Sequence, residues 1–158
     1  MSDAPPTAAS EAKPKRLTTT VHHLVDKRFV GIGADGLRVS IDGEARAKTG
    51  MSPMQLVLNA VGACGGYDVV EMLRKRRLEI RAYDVELTGD RHDEAPRAFT
   101  KIRAVHRFDV PGLDERTARR FAELAMTKYC SVAASLHAEI DVDVELLHET
   151  PATPPAAG

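Results

Sequence analysis

Two side chains in this 158-residue sequence can act as nucleophile and redox centre without a metal: Cys64 and Cys130. A thiolate attacks an electrophilic oxygen or sulfur, and it needs a helix N-terminus or a nearby cation to lower its pKa. Cys64 lies between Ala63 and Gly65, well inside a predicted helix, so a cation from another segment would have to serve it. Cys130 follows Tyr129 at a junction between two predicted helical stretches. Residue type alone leaves a second reading open, because a free cysteine is commonly a small buried hydrophobe. The pair is too small for the disulfide framework of a secreted domain, and reducing cytoplasm is the expected compartment. There, two cysteines are either core filling or redox chemistry.

Other chemistry-bearing residues point elsewhere. Of six histidines only His22 and His23 are adjacent, and neighbours on a strand face opposite ways, so no metal site is expected. His106 shares an alternating apolar face with Ile102, Ala104 and Phe108, which reads as a core or interface histidine rather than a catalytic base. Asp68 stands one helical turn after Cys64; a carboxylate there would raise the thiol pKa, so it reads as interface polarity. The sequence has no Cys-x-x-Cys pair, glycine-rich phosphate loop or nucleophile elbow.

The elements that must position the cysteines begin with three short strand-forming runs, Leu17 to Val25, Phe29 to Ile32 and Leu37 to Ile41. Asp26-Lys27 and Ala34-Asp35-Gly36 supply the turns of an antiparallel N-terminal meander. Ser52-Pro53-Met54-Gln55 opens a helix, with Ser52 as N-cap, Pro53 in the first turn and Gln55 closing a capping box. From Leu56 to Val61 that helix is apolar on nearly every side, so it must be covered all round, which calls for a second subunit. Glycines at 62, 65 and 66 invite a kink or close approach of another backbone to Cys64. Leu78 to Thr88 alternates with a phase slip that predicts a β-bulge near Ala82. Phe99 to Val110 forms the next strand. Asp114 caps a helix with the stripe Ala118, Phe121, Ala122, Ala125, and a further stripe comprises Tyr129, Val132, Ala133 and Leu136. Ala138 to Leu146 alternates apolar residues with Glu139, Asp141, Asp143 and Glu145, a half-buried strand with one acidic, wet face. The order is that of an α+β fold.

A formal net charge of −1 argues against nucleic acid or an anionic membrane as the main partner. The basic run Arg74-Lys75-Arg76-Arg77 suits a helix C-terminus. No uninterrupted run of some eighteen apolar residues is present, so no membrane span is expected. The beginning of the chain lacks the apolar core of a secretory signal. Residues 1–16 and 149–158, rich in Pro and Ala, are expected to be disordered tails around one domain over 17–148.

The segment Ser52-Pro53-Met54-Gln55-Leu56 through Ala60-Val61-Gly62-Ala63-Cys64, with Tyr67-Asp68-Val69-Val70, resembles the central helix of the OsmC/Ohr family, in particular its OsmC-like branch. Lys128-Tyr129-Cys130-Ser131-Val132 with Ser135-Leu136 is similar to the family's second cysteine motif. The resemblance implies an intertwined homodimer with central helices buried between two sheets and active sites at the subunit interface. It also implies that Cys64 is the peroxidatic nucleophile and Cys130 the resolving thiol, with no metal or organic cofactor and an external dithiol as reductant. The family draws its catalytic arginine from the N-terminal strands, which makes Arg28 and Arg38 the candidate cations; Lys48 precedes the helix. The Ohr branch has Glu where Met54 stands and the OsmC-like branch has Glu where Gln55 stands. A neutral amide cannot form the same charge-assisted pair, so Gln55 reads as a helix cap near the site.

The expected function is therefore reduction of organic hydroperoxides or hydrogen peroxide by a thiol peroxidase. Two alternatives use the same residues differently. One is a non-enzymatic dimer binding a small apolar ligand; the other is a redox sensor whose Cys64–Cys130 disulfide changes shape without turnover.

Overall fold

The computed structural model describes residues 16–148, which fall into two compact units divided at Pro53. Residues 1–15 and 149–158, covering nearly all of the two expected tails, lie outside the described residues.

In the N-terminal unit, β1 (Thr19–Val25), β2 (Arg28–Gly33) and β3 (Arg38–Asp42) form the expected antiparallel meander in the order β1-β2-β3. Each strand lies within a residue or two of its expected bounds. Asp42 ends β3 fully buried, and its carboxylate accepts from the backbone amides of Glu44 (2.8 Å) and Thr49 (2.8 Å). Those amides, with help from Arg28, hold its pKa down at about 2.

The second unit is built on α1 (Pro53–Lys75), β4 (Ala82–Arg91), β5 (Phe99–Asp109), α2 (Glu115–Leu124), α3 (Ser131–Ala134) and β6 (Glu139–Leu146). Its sheet runs β4-β5-β6. β4 pairs antiparallel with β5, but β6 pairs parallel with β5, because the helical segment between them carries the chain back across the sheet. Ile102, Ala104, His106 and Phe108 of β5 are all fully buried. The opposite face is wet and charged. There Lys101, Arg103 and Arg107 meet the acidic residues of β6 predicted to line it, with Arg107 also bridging to Asp84 and Glu86 of β4.

Three expectations are corrected. The strand after α1 begins at Ala82 rather than Leu78, and the register shift falls between Asp90 and Arg91, not near Ala82. Residues 78–81 leave the helix by a turn, and Arg77 has positive φ (59°), so the apparent phase slip is the boundary between turn and strand. Second, α1 runs unbroken through its glycines. Gly62 and Gly65 make room for side chains rather than for another backbone: a Cβ on Gly62 would run into Leu87, and one on Gly65 into the sulfur of Met126. Third, α1 has 23 residues and its most apolar 18-residue window has a mean hydropathy of 1.3, enough by length and composition to cross a bilayer. Asn59 and Asp68 interrupt the apolar residues of α1, so no unbroken apolar run of that length marks it in the sequence. Val61, Val69 and Leu73 of α1 are fully buried in this unit, as in a core helix.

Candidate active site

Cys64 and Cys130 come together in this second unit. Each belongs to an apolar cluster whose buried members are Val61, Phe99, Ile102, Ala104, Met126, Cys130 and Ala133, with Cys64 packed at its margin. Cys64 is half-buried and reduced; Cys130 is 3% exposed and also reduced. The two thiols are near enough for Cys64 to help raise the Cys130 pKa.

A local distortion of the chain places Cys130. Between α2 and α3, residues Ala125–Tyr129 form a π-helical turn, closed by the Cys130 amide donating to the Ala125 carbonyl at 2.8 Å. Such a turn adds a residue relative to an α-helix. The α2 stripe Ala118, Phe121, Ala122, Ala125 is buried as expected, and of the next stripe Ala133 is buried while Val132 and Leu136 pack against the cysteine cluster. Tyr129, expected inside, is 49% exposed, and the buried set continues as Met126, Cys130 and Ala133.

Cys130 then takes an extended conformation (φ −65°, ψ 102°) and caps α3. Its sulfur accepts from the Ala133 amide at 3.2 Å and donates to the Val61 carbonyl of α1 at 3.7 Å. Val61 lies one turn before Cys64, so this contact ties the second cysteine segment to the helix carrying the first. Desolvation raises the Cys130 pKa above the ordinary thiol value, opposed in part by the Ala133 amide, and proximity to Cys64 adds to the rise. Cys130 is thus held as a neutral thiol at neutral pH, which weakens it as a nucleophile.

The remaining predicted residues are less closely grouped. Gln55 is exposed in the first turn of α1, and its carbonyl accepts from the Asn59 side chain at 2.9 Å. Met54 packs at the edge of the cysteine cluster, and Asp68 is half-buried one turn beyond Cys64. Arg28 and Arg38 belong to the N-terminal unit. The Arg28 guanidinium is engaged there, donating to Asp42 (3.2 Å) and to the Ala47 carbonyl (3.1 Å). Arg38 is exposed at the start of β3. Among the described residues, no lysine or arginine is hydrogen-bonded to either sulfur, and no group of three or more His, Cys, Asp or Glu could hold a metal ion.

His106 is a core residue, as expected. It is fully buried, its Nδ1 lies 2.7 Å from the Tyr83 hydroxyl, and its ring stacks with those of Tyr83 and Phe108. Its Nε2 has no hydrogen-bond partner among the described residues. Burial lowers its pKa to about 4. Nothing in the alternation around position 106 singles out Tyr83 as its partner: the β4–β5 register sets Val85 opposite His106, and Tyr83 reaches it diagonally from opposite Phe108.

Sequence reading also missed a cleft beside the cysteine cluster. Its volume is about 460 Å³, and it lies between the first turns of α1, the β4–β5 loop and the end of α3. Arg91, Arg97 and His137 stand in its wall, each unremarkable in a polar loop.

Comparison with known proteins gives the relationship. The profile described as OsmC-like protein matches residues 42–145. Protein YhfA of Escherichia coli is 40% identical over 116 residues, covering 72% of this chain and 84% of its own length. Among solved structures, an OsmC-like protein from Mycoplasma pneumoniae superposes with a TM-score of 0.74 at 19% identity, covering 85% of this chain and 99% of its own. The organic hydroperoxide resistance protein OhrB of Bacillus subtilis gives 0.57 at 21% identity, covering 84% and 98%. At those identities the two structures speak for the fold. With a family profile spanning most of the folded region and a relative at 40% identity, the chain belongs to the OsmC-like protein family.

Proposed function

We propose that the protein is a thiol peroxidase for organic hydroperoxides or hydrogen peroxide, with Cys64 as nucleophile and Cys130 as resolving thiol. The observation that carries this reading is the meeting of the two thiols, one half-buried and one buried, at a single apolar cluster. Cys64 thiolate attacks a peroxide oxygen. An S–O bond forms, the O–O bond breaks, and the departing alkoxide takes a proton to leave as alcohol. The sulfenic acid on Cys64 then condenses with the Cys130 thiol, forming the disulfide and releasing water. An external dithiol reduces the disulfide and restores both thiols. No metal or organic cofactor takes part.

The cation that activates Cys64 is taken to be the arginine that the family resemblance draws from the N-terminal strands. Arg38 is the better candidate than Arg28, whose guanidinium is already engaged by Asp42. The working form would be a homodimer: Ala60, Ala63 and Tyr67 form an open face on α1, with Tyr67 72% exposed, and a second copy would cover it. The reducing cytoplasm, where dithiols are maintained, is the proposed compartment.

Single-turnover mass spectrometry with a limiting hydroperoxide tests the chemistry. Cys64→Ser should gain no oxygen and consume no peroxide. Cys130→Ser should gain one oxygen on Cys64 and stop there. If Cys130→Ser gains no oxygen while Cys64→Ser does, the two roles are reversed; if neither single variant differs from the double variant, the peroxidase reading fails.

A further inference from the structure

We propose that the cleft between α1, the β4–β5 loop and the end of α3 binds a single-chain aliphatic carboxylate. The tail would lie on Val57, Phe99 and Leu136, and the head group would meet Arg91, Arg97 and His137. A volume of about 460 Å³ is within the roughly 300–1,000 Å³ range of small-molecule sites. Its inner wall is apolar: Val57, Phe99 and Leu136 also pack in the cluster holding both cysteines, and Phe99 is 8% exposed.

The outer wall is cationic, and its two guanidinium groups are oriented by the backbone. Arg91 Nε donates to the Arg97 carbonyl at 2.7 Å, and Arg97 Nε donates to the Asp93 carbonyl at 3.0 Å. Each arginine spends its inner nitrogen on a carbonyl, which leaves the terminal NH₂ groups for another acceptor. Among the described residues neither arginine forms an ion pair, whereas Arg103, Arg107 and Arg119 all do. Asp93 and Glu94 line a neighbouring depression rather than this cleft. Two unneutralised guanidinium groups beside an apolar floor complement an anion with an aliphatic tail, and the planar fork of arginine suits a carboxylate. A neutral apolar ligand would use only half of the site.

The binding itself does not depend on thiol chemistry. Neither cysteine lines the cleft, which makes it a site apart from the two thiols.

The test is titration of the full-length protein with octanoate and decanoate below their micellar range, read by heteronuclear NMR shifts and calorimetry, against octanol and decanol. Expected are shifts at Val57, Phe99 and Leu136, tighter binding of decanoate by roughly fourfold per added methylene, and at least tenfold preference for acid over alcohol. The double variant Arg91→Gln/Arg97→Gln, in exposed positions that leave the core intact, should lose that preference and still bind the alcohol. Cys64→Ser should bind decanoate as the natural protein does. No saturable shifts at these residues, or equal binding of acid and alcohol, overturns the proposal. Carboxylate binding in a protein that turns over no hydroperoxide would sustain it and refute the peroxidase reading instead.

Discussion

Lowering the pH from 7 to 5 should destabilise the protein by about 2 kcal/mol through His106 alone. The ring is fully buried and flanked in register by Val85 of β4 and Val144 of β6, with the Tyr83 hydroxyl as its polar neighbour. Nδ1 shares a hydrogen bond with that hydroxyl, and Nε2 has no partner among the described residues to share a positive charge. Burial therefore depresses the pKa from the ordinary 6.5 to about 4. Between those values the unfolded chain binds the proton and the folded one does not. The stability contributed by a neutral His106 is thus fully present above pH 6.5 and lost as pH falls toward 4, about 3 kcal/mol in all at about 1.4 kcal/mol per pH unit. The carboxylates with lowered pKa values, Asp42, Asp114 and Asp143, titrate below this window. Urea unfolding at a series of pH values measures the slope, and His106→Gln, which keeps an acceptor for Tyr83 and cannot titrate, isolates it from the other histidines. The variant should show a flatter dependence between pH 7 and 5, whatever its absolute stability. If natural protein and variant fall in parallel, or the His106 ring titrates near its ordinary value by NMR in the folded state, the desolvation argument is wrong.

Iodoacetamide under native conditions should modify Cys64 well before Cys130, which is 3% exposed and has a raised pKa; comparable labelling on tandem mass spectrometry would contradict the packing described. Leu73→Ala, at a fully buried position beneath the sheet, should cost about 2–5 kcal/mol in urea unfolding, and a loss below 1 kcal/mol would mean that this part of α1 is not core. Sedimentation velocity at low micromolar concentration should give a dimer, and Ala63→Glu on the open face of α1 should shift it toward monomer; a folded monomer of the natural sequence would refute the proposed assembly.

The start of α1, the meander and the acidic face of β6 were legible because each rests on a local rule: the proline and capping signals before Leu56, tight turns at fixed spacing, and strict alternation. Gly62 and Gly65 were legible as special but not for what they do, since Leu87 and Met126 approach them from elements distant in sequence. In the stripe Tyr129, Val132, Ala133, Leu136 only Tyr129 departs from expectation, for a comparable reason. Period counting assumes an α-helix throughout, and the π turn at Ala125–Tyr129 inserts a residue that no composition rule announces. The cleft was invisible because Arg91, Arg97 and His137 become neighbours only when the β4–β5 loop and the end of α3 meet α1.

The same π turn bears on the order of events in the proposed chemistry. The turn closes with the Cys130 amide on the Ala125 carbonyl, and from there the Cys130 thiol reaches the Val61 carbonyl. The two sulfurs occupy unequal environments: Cys130 is desolvated and protonated, while Cys64 keeps access to solvent. A peroxide arriving from outside meets Cys64 first. In the proposed second step the Cys130 sulfur must lose its proton as it attacks the sulfenic acid, the proton leaving with the departing hydroxyl as water. The raised pKa slows that step as it slows any other attack by Cys130. The unequal exposure of the two sulfurs thus accords with the proposed order of events, in which Cys64 reacts before Cys130.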